Sequence, residues 1–197
     1  MALFAVLYDP VMALADRAGL ARLRRRLVAE ARGRVLEVGS GTGRNLALYR
    51  DVEAVVALEP DDAMRDRLLR RIPAAAVPVE VHDAGLGESG LADASFDTVV
   101  STLVLCSVDD QDAVLGEIRR LLKPDGQFLF LEHVRSPGLW GTLEAAVTPV
   151  WRRLAGGCHL DRRTLQAMRA AGLAITDCQR SGLLVRGVAR PARHPVL

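Results

Sequence analysis

The stretch VLEVGSGTG at 35–43 constrains this chain more than any other feature. A short apolar run leads into glycines at positions 39, 41 and 43. Glycine tolerates positive φ and lets the backbone approach a ligand closely. If a helix follows, its first N–H groups face that ligand. A dinucleotide fingerprint, G-x-G-x-x-G, would put its third glycine at position 44, where the chain has Arg44. The turn is therefore read as a cofactor-binding strand–turn–helix of another spacing, with the strand at 34–38 and a helix at 44–49.

Downstream, β-branched runs alternate with helical patterns. Strands are expected at 54–58, 77–81, 96–101 and 128–132, and helices at 62–71 and 111–122. Such alternation implies βαβ units around a parallel sheet. Asp61, one of Asp109 and Asp110, and Asp161 are expected N-caps. The segment 123–126 (KPDG) should be a turn, because proline ends a helix and glycine closes the bend. Late in the chain, a helix at 163–171 stops at Gly172. Strands at 173–178 and 184–189 then lie too close together to be anything but antiparallel. The expected architecture is α/β: a Rossmann-like, doubly wound, mostly parallel seven-stranded sheet, with an antiparallel C-terminal hairpin strand and helices on both faces.

With 197 residues, the chain has the length of one domain. Its expected subdivision is an N-terminal helical lid (1–32), a cofactor-binding core (33–134), an acceptor-side insert (135–160), and a C-terminal helix and hairpin (161–197). The net charge of only +2 argues against nucleic acid as a partner. Cys106, Cys158 and Cys178 are too scattered for a disulfide framework or a paired-cysteine zinc site, so no metal is expected and a reducing cytoplasm is the expected setting. The apolar N-terminus is interrupted by Asp9, Pro10, Asp16 and Arg17 before it could span a bilayer. Residues 20–28 place arginines beside leucines. That pattern fits an amphipathic helix covering the sheet, and also leaves open a peripheral membrane contact through the N-terminal helix.

Glu37 on the strand before the glycine turn makes 35–43 resemble motif I of class I S-adenosylmethionine-dependent methyltransferases. Other segments continue the resemblance in order. In ALEP (57–60), Glu59 stands at a strand end about 20 residues past Gly39, the position of a ribose-binding carboxylate; nicotinamide enzymes use the same device. In VHDA (81–84), Asp83 and Ala84 resemble the pair that holds adenine, although the following GLGESGLADASFD lacks the family's usual proline. SFD (95–97) leading into VVSTL resembles motif IV, and LLKPDGQFL (121–129) resembles the turn before strand five.

The resemblance implies S-adenosyl-L-methionine as cofactor and S-adenosyl-L-homocysteine as product. It implies cofactor contacts from Tyr8, Glu37, Gly39, Ser40, Gly41, Thr42, Gly43, Glu59, Pro60, Met64, Asp83, Ala84, Thr102 and Leu103. Tyr8, in LYDP, resembles an N-terminal Tyr-Asp pair that closes over the cofactor.

TLVLCSV (102–108), FLEHV (130–134), PVW (149–151) and GCHLDRRTL (157–165) are similar to methyltransferase-like proteins that methylate alkyl thiols. More broadly, the chain resembles quinone C-methyltransferases and phospholipid N-methyltransferases. Gly156 replaces the acid those thiol-methylating relatives carry. A small, lipophilic acceptor is implied, with a thiol slightly favoured, and a silent cofactor-binding module is the reading from another class. His133, at the rim beyond the fifth strand, is the candidate catalytic or acceptor-positioning residue. Cys106 and Cys158 read as packing residues and Asp161 as a cap.

Overall fold

A computed structural model describes residues 2–192. Met1 and residues 193–197, at the outer ends of the expected lid and C-terminal segments, lie outside them. The N-terminus forms α1 (Ala2–Ala15) and α2 (Ala21–Val28), joined by a wide helical turn at Asp16–Leu20 where Gly19 breaks the regular path with φ +124°. Then follow β1 (Arg34–Val38), β2 (Ala54–Leu58), α3 (Asp62–Arg71), β3 (Val79–His82), β4 (Phe96–Thr102), α4 (Gln111–Leu121) and β5 (Leu122–His133). The chain closes with α5 (Gly138–Leu154), α6 (Thr164–Ala170), β6 (Leu173–Ser181) and β7 (Leu184–Pro191).

The seven strands form one sheet in the order β3-β2-β1-β4-β5-β7-β6. The first five are parallel, and β7 and β6 are antiparallel. Strands buried on both faces carry apolar residues at nearly every position. Leu36, Val38, Val99, Phe128 and Phe130 face one core with Leu115, Ile118 and Leu121 of α4 and Met168 of α6. Their neighbours Val35, Val100, Leu129 and Leu131 face a second core with Leu27 and Val28 of α2 and Leu68 of α3. Thus α2 covers the sheet with its leucines. Between β1 and β4 the winding reverses, which opens a crevice at the strands' C-terminal ends, where open α/β sheets place their ligands.

Two expected caps are present. Asp61 accepts from the Met64 N–H at 2.9 Å and Asp110 from that of Ala113 at 2.9 Å. Asp161 does not cap α6: the N-cap is Arg163, without a side-chain bond, and the Asp161 carboxylate lies 3.7 Å from His159 Nδ1. No α-helix follows the glycine turn. Gly43, Leu46 and Leu48 donate to carbonyls three residues back, giving successive tight turns and one short 3₁₀ segment at Leu46–Leu48. The expected strand at 77–81 begins instead at Val79. Residues 123–126 are looped out within the span of β5, where pairing passes from Phe96–Leu122 directly to Thr98–Gln127. The hairpin strands are longer than expected and turn at Gly182 and Leu183, with Gly182 at φ +59°.

Gly187 on β7 pairs with Phe130 on β5. A Cβ at Gly187 would lie 2.5 Å from both Phe130 Cζ and the Asp177 carbonyl oxygen, so a buried aromatic ring fills the space that glycine leaves. Gly187→Ala should cost about 1–3 kcal/mol, as overpacked cores do. Urea unfolding checks this, and an unchanged midpoint would contradict the packing described.

Candidate active site

The glycine turn sits where β1 ends. Gly39, Gly41 and Gly43 all have positive φ (57°, 59° and 77°), which is what the sequence pattern requires. At Gly39 the missing side chain also makes room: a Cβ would come within 2.8 Å of Val104 Cγ2, across the mouth of β4. The Ser40 N–H donates to the Leu58 carbonyl (2.9 Å) and the Gly41 N–H to Glu59 Oε2 (2.7 Å), so the turn is fastened to the end of β2. Glu59 also accepts from the Asp61 N–H at 3.0 Å. Burial raises its pKa, against the pull of those two N–H groups.

Beneath the turn lies a buried polar cluster. Asn45 donates to Glu37 Oε1 (2.9 Å) and to Thr102 Oγ1 (3.1 Å), and accepts from Arg24 Nη1 (3.1 Å). Burial, only partly offset by Tyr49, Asn45 and Arg24, carries the Glu37 pKa to about 7. Above the turn, Asp9 of α1 accepts from Thr42 Oγ1 (2.9 Å), Arg44 Nη1 (3.0 Å) and Arg71 Nη2 (3.0 Å). Burial works against the charge of Asp9, but these donors outweigh it and hold its pKa low. The clamp lays α1 over the turn, and a Cβ on Gly41 would sit 3.8 Å from the Tyr8 hydroxyl. Asp9 belongs to the Tyr-Asp pair visible in the sequence. The roles of Arg24, Asn45 and Arg71 have no comparable motif and arise only when separate elements meet.

A cavity of about 920 Å³ opens at these strand ends. Of the residues expected at a cofactor, Tyr8, Gly39, Glu59, Pro60, Ala84 and Leu103 line it. Leu103 takes a left-handed φ of 60° as the chain leaves β4 and donates its N–H to the Leu131 carbonyl. Glu37, Ser40, Gly41, Thr42, Gly43, Met64 and Thr102 surround the turn without lining the cavity. Asp83 also stays off the wall, exposed and paired with Arg65 Nη1 at 2.6 Å.

The far wall is built from Val104, Cys106, His133, Trp151 and Cys158. His133 Nδ1 lies 3.7 Å from Cys106 Sγ and 3.3 Å from Cys158 Sγ, and the two sulfurs are 3.5 Å apart. Contact between the thiols pushes Cys106 well above its ordinary pKa and lowers that of Cys158. Burial opposes the His133 imidazolium, but Cys106 and Glu132 outweigh it and raise its pKa. The sequence reading identified His133 and treated the cysteines as packing. It had no signal for a trio contributed by positions 106, 133 and 158.

A family model described as "Methyltransferase domain" matches residues 36–130. Human thiol S-methyltransferase TMT1A is 33% identical over 181 residues, covering 89% of this chain and 74% of that protein. Rat thiol S-methyltransferase TMT1B is 36% identical over 145 residues, 70% of this chain, which spans 58% of that relative's length. A phosphatidylethanolamine N-methyltransferase of Cereibacter sphaeroides is 32% identical over 144 residues, 70% of each chain. Among solved structures, the DhpI–SAH complex shares the fold with a TM-score of 0.69 at 22% identity, covering 98% of this chain and 94% of that one.

The raised pKa of Glu37 sets a direction for stability. A carboxyl that binds its proton more tightly when folded contributes most below its unfolded pKa, near 4.5, and that contribution is lost as pH rises to about 7. Glu37→Gln removes the titration. The stability of the variant relative to the parent should therefore increase between pH 5 and pH 8, by on the order of 3 kcal/mol at most. Denaturant midpoints at the two pH values test this, and a constant difference would refute the assignment.

Proposed function

Since the chain belongs to the S-adenosylmethionine-dependent methyltransferases, we propose that it methylates the sulfur of a small, lipophilic thiol. The observation that carries this reading is the far wall of the cavity: an apolar surface whose polar groups include His133 set against Cys106 and Cys158. The likeness to thiol S-methyltransferases supports it.

The residues present fit the cofactor. The Glu59 oxygens each accept one N–H, which leaves lone pairs for the two ribose hydroxyls. Gly39, whose missing side chain leaves room for Val104, brings its backbone to the cavity wall. Gly39 and Leu103 lie at the mouth of β1 and β4 and Tyr8 over the turn, and Ala84, on the cavity wall, would meet the adenine. Bound there, S-adenosylmethionine supplies a methyl group on a positively charged sulfur. Most of the remaining task is orientation in a dry pocket. Val38, Leu58, Val104 and Trp151 give the cavity an apolar wall, and the Asp9 clamp holds α1 against the glycine turn.

A thiol of ordinary pKa about 8.5 needs little help to become the nucleophile, whereas an ammonium, at about 10.4, needs a true base. His133, with its two cysteines, is placed to orient that sulfur.

One observation favours a second reading, methylation of a phospholipid amine. Along α5, whose Trp151 lines the cavity, Leu139, Trp140, Leu143, Val147 and Val150 are exposed on the outside, as a helix resting on lipid would be. No helix among the described residues is long and apolar enough to cross a membrane.

Release of S-adenosylhomocysteine should be fastest with alkyl thiols when thiols, phenols, quinols and phosphatidylethanolamine vesicles are compared. Turnover confined to the vesicles would favour the second reading, and tight cofactor binding with no turnover on any acceptor would favour a silent binding module. In calorimetry, Glu59→Ala should weaken S-adenosylhomocysteine binding by about 1–3 kcal/mol, the usual loss of a charged hydrogen-bond partner. Unchanged affinity would overturn the ribose assignment.

A further inference from the structure

Cys106 and Cys158 are both buried, at 1% and 5% exposure, and stand 52 positions apart in the chain, yet their sulfurs and His133 Nδ1 converge on one point of the cavity wall. The sulfurs are 3.5 Å apart, far beyond the roughly 2.05 Å of a disulfide. The triangle of ligand atoms has edges of 3.5, 3.7 and 3.3 Å. A tetrahedral zinc ion, bonded to thiolate sulfur at about 2.3 Å and to imidazole nitrogen at about 2.05 Å, requires edges of about 3.8 Å between sulfurs and about 3.6 Å between sulfur and nitrogen. Each observed edge lies within about 0.3 Å of that requirement.

Hydrogen bonds hold the backbone around the trio. The His159 N–H donates to the Cys106 carbonyl at 2.7 Å, which joins the two cysteine loops. Arg162 Nη1 and Gln111 Nε2 both donate to the Leu105 carbonyl (2.6 and 3.0 Å), and Gln111 also reaches Thr164 Oγ1. Behind His133, the wholly buried Glu132 accepts from Ser101 Oγ (2.6 Å) and the Val104 N–H (3.1 Å), which holds the strand end in place. Three ligands from three separate segments are thus held in position, and all three line the cavity. Two cysteines and one histidine with a fourth position left open is a ligand set found in catalytic zinc sites, whereas structural sites are closed by four protein ligands.

We propose that Cys106, Cys158 and His133 hold a zinc ion whose fourth position, facing the cavity, takes the sulfur of the acceptor. The ion's place rests on the trio alone; the identity of its fourth ligand rests on the thiol reading above. Ion binding releases the protons of the two cysteine thiols, and the acceptor thiol releases its own proton to solvent on coordination, so it is held as a thiolate. The methyl carbon then forms a bond to that sulfur as its bond to the sulfonium sulfur breaks. The product is a neutral thioether, a poorer ligand, which leaves the ion.

The test uses the full chain, reduced, stripped with a chelator and titrated anaerobically with Co²⁺. One equivalent should produce thiolate-to-cobalt charge-transfer absorption that Zn²⁺ abolishes, and an alkyl thiol added without cofactor should shift that spectrum. Cys178→Ser, at the exposed cysteine on β6, should behave as the parent does. Cys158→Ser and His133→Ala, each verified as folded by circular dichroism, should bind zinc about 100-fold more weakly or worse.

Absence of the band from the folded parent, formation of a Cys106–Cys158 disulfide with no metal uptake by the reduced protein, or undiminished zinc binding in both variants would overturn the site. A spectrum unmoved by saturating alkyl thiol would overturn the fourth-ligand assignment. Cobalt uptake without methylation of any thiol would leave the ion in place and refute the thiol reading. Thiol methylation at full rate by metal-free protein would support the thiol reading and overturn the ion's role in holding the acceptor sulfur.

Discussion

Asn45 is almost wholly buried and donates from its amide to groups on two strands, Glu37 on β1 and Thr102 on β4, while its oxygen accepts from Arg24 on α2. An unmet buried polar group costs about 1–3 kcal/mol, so this one side chain locks together the two strands that flank the sheet's reversal and the helix beneath them. The shape of the glycine turn depends on that lock. Residue 45 lies two positions past Gly43, and the tight turns between them bring its amide back under the strand ends. Glu37 is therefore a residue beneath the site. Its carboxylate sits under the turn, and the cavity wall is formed by the glycine backbone above it.

On the opposite side of the turn the logic is electrostatic. Asp9 gathers Thr42, Arg44 and Arg71 from the turn and α3, and charge-assisted bonds of this kind are the stronger ones. Buried polar contacts below and a charged clamp above leave the glycine backbone little freedom. A site that must align two reacting atoms benefits from that rigidity. The far wall of the cavity follows the same principle by other means. Arg162 donates to the carbonyls of Leu105 and Val108, and the His159 N–H to that of Cys106, so the two loops present Cys106 and Cys158 together beside His133.

Much of this was legible in the residues. The alternation of strands and helices, the acidic caps at Asp61 and Asp110, the stop at Gly172 and the final hairpin all follow from local rules, and each has a local physical cause. Where local reading failed, tertiary contacts had overridden it. The stretch 44–49 has helical composition, but three positive-φ glycines and the inward pull on Asn45 leave it as tight turns. Asp161 has the chemistry of a cap but lies beside His159, and α6 starts without a side-chain bond.

By itself, the sequence determined the alternating strands and helices and a cofactor-type glycine turn at the end of β1, because periodicity and glycine spacing act over a few residues. The methyl donor was implied by the likeness of its motifs to a family. Only the tertiary structure decided which of the expected residues face the cavity and which support it from below. It alone assembled the far wall of the cavity, since positions 106, 133 and 158 share no local pattern and meet only because strand β5 and two loops end at the same rim. The glycines could be read in one dimension because their constraint is on the backbone; the two cysteines and the histidine could not, because theirs is a distance between side chains.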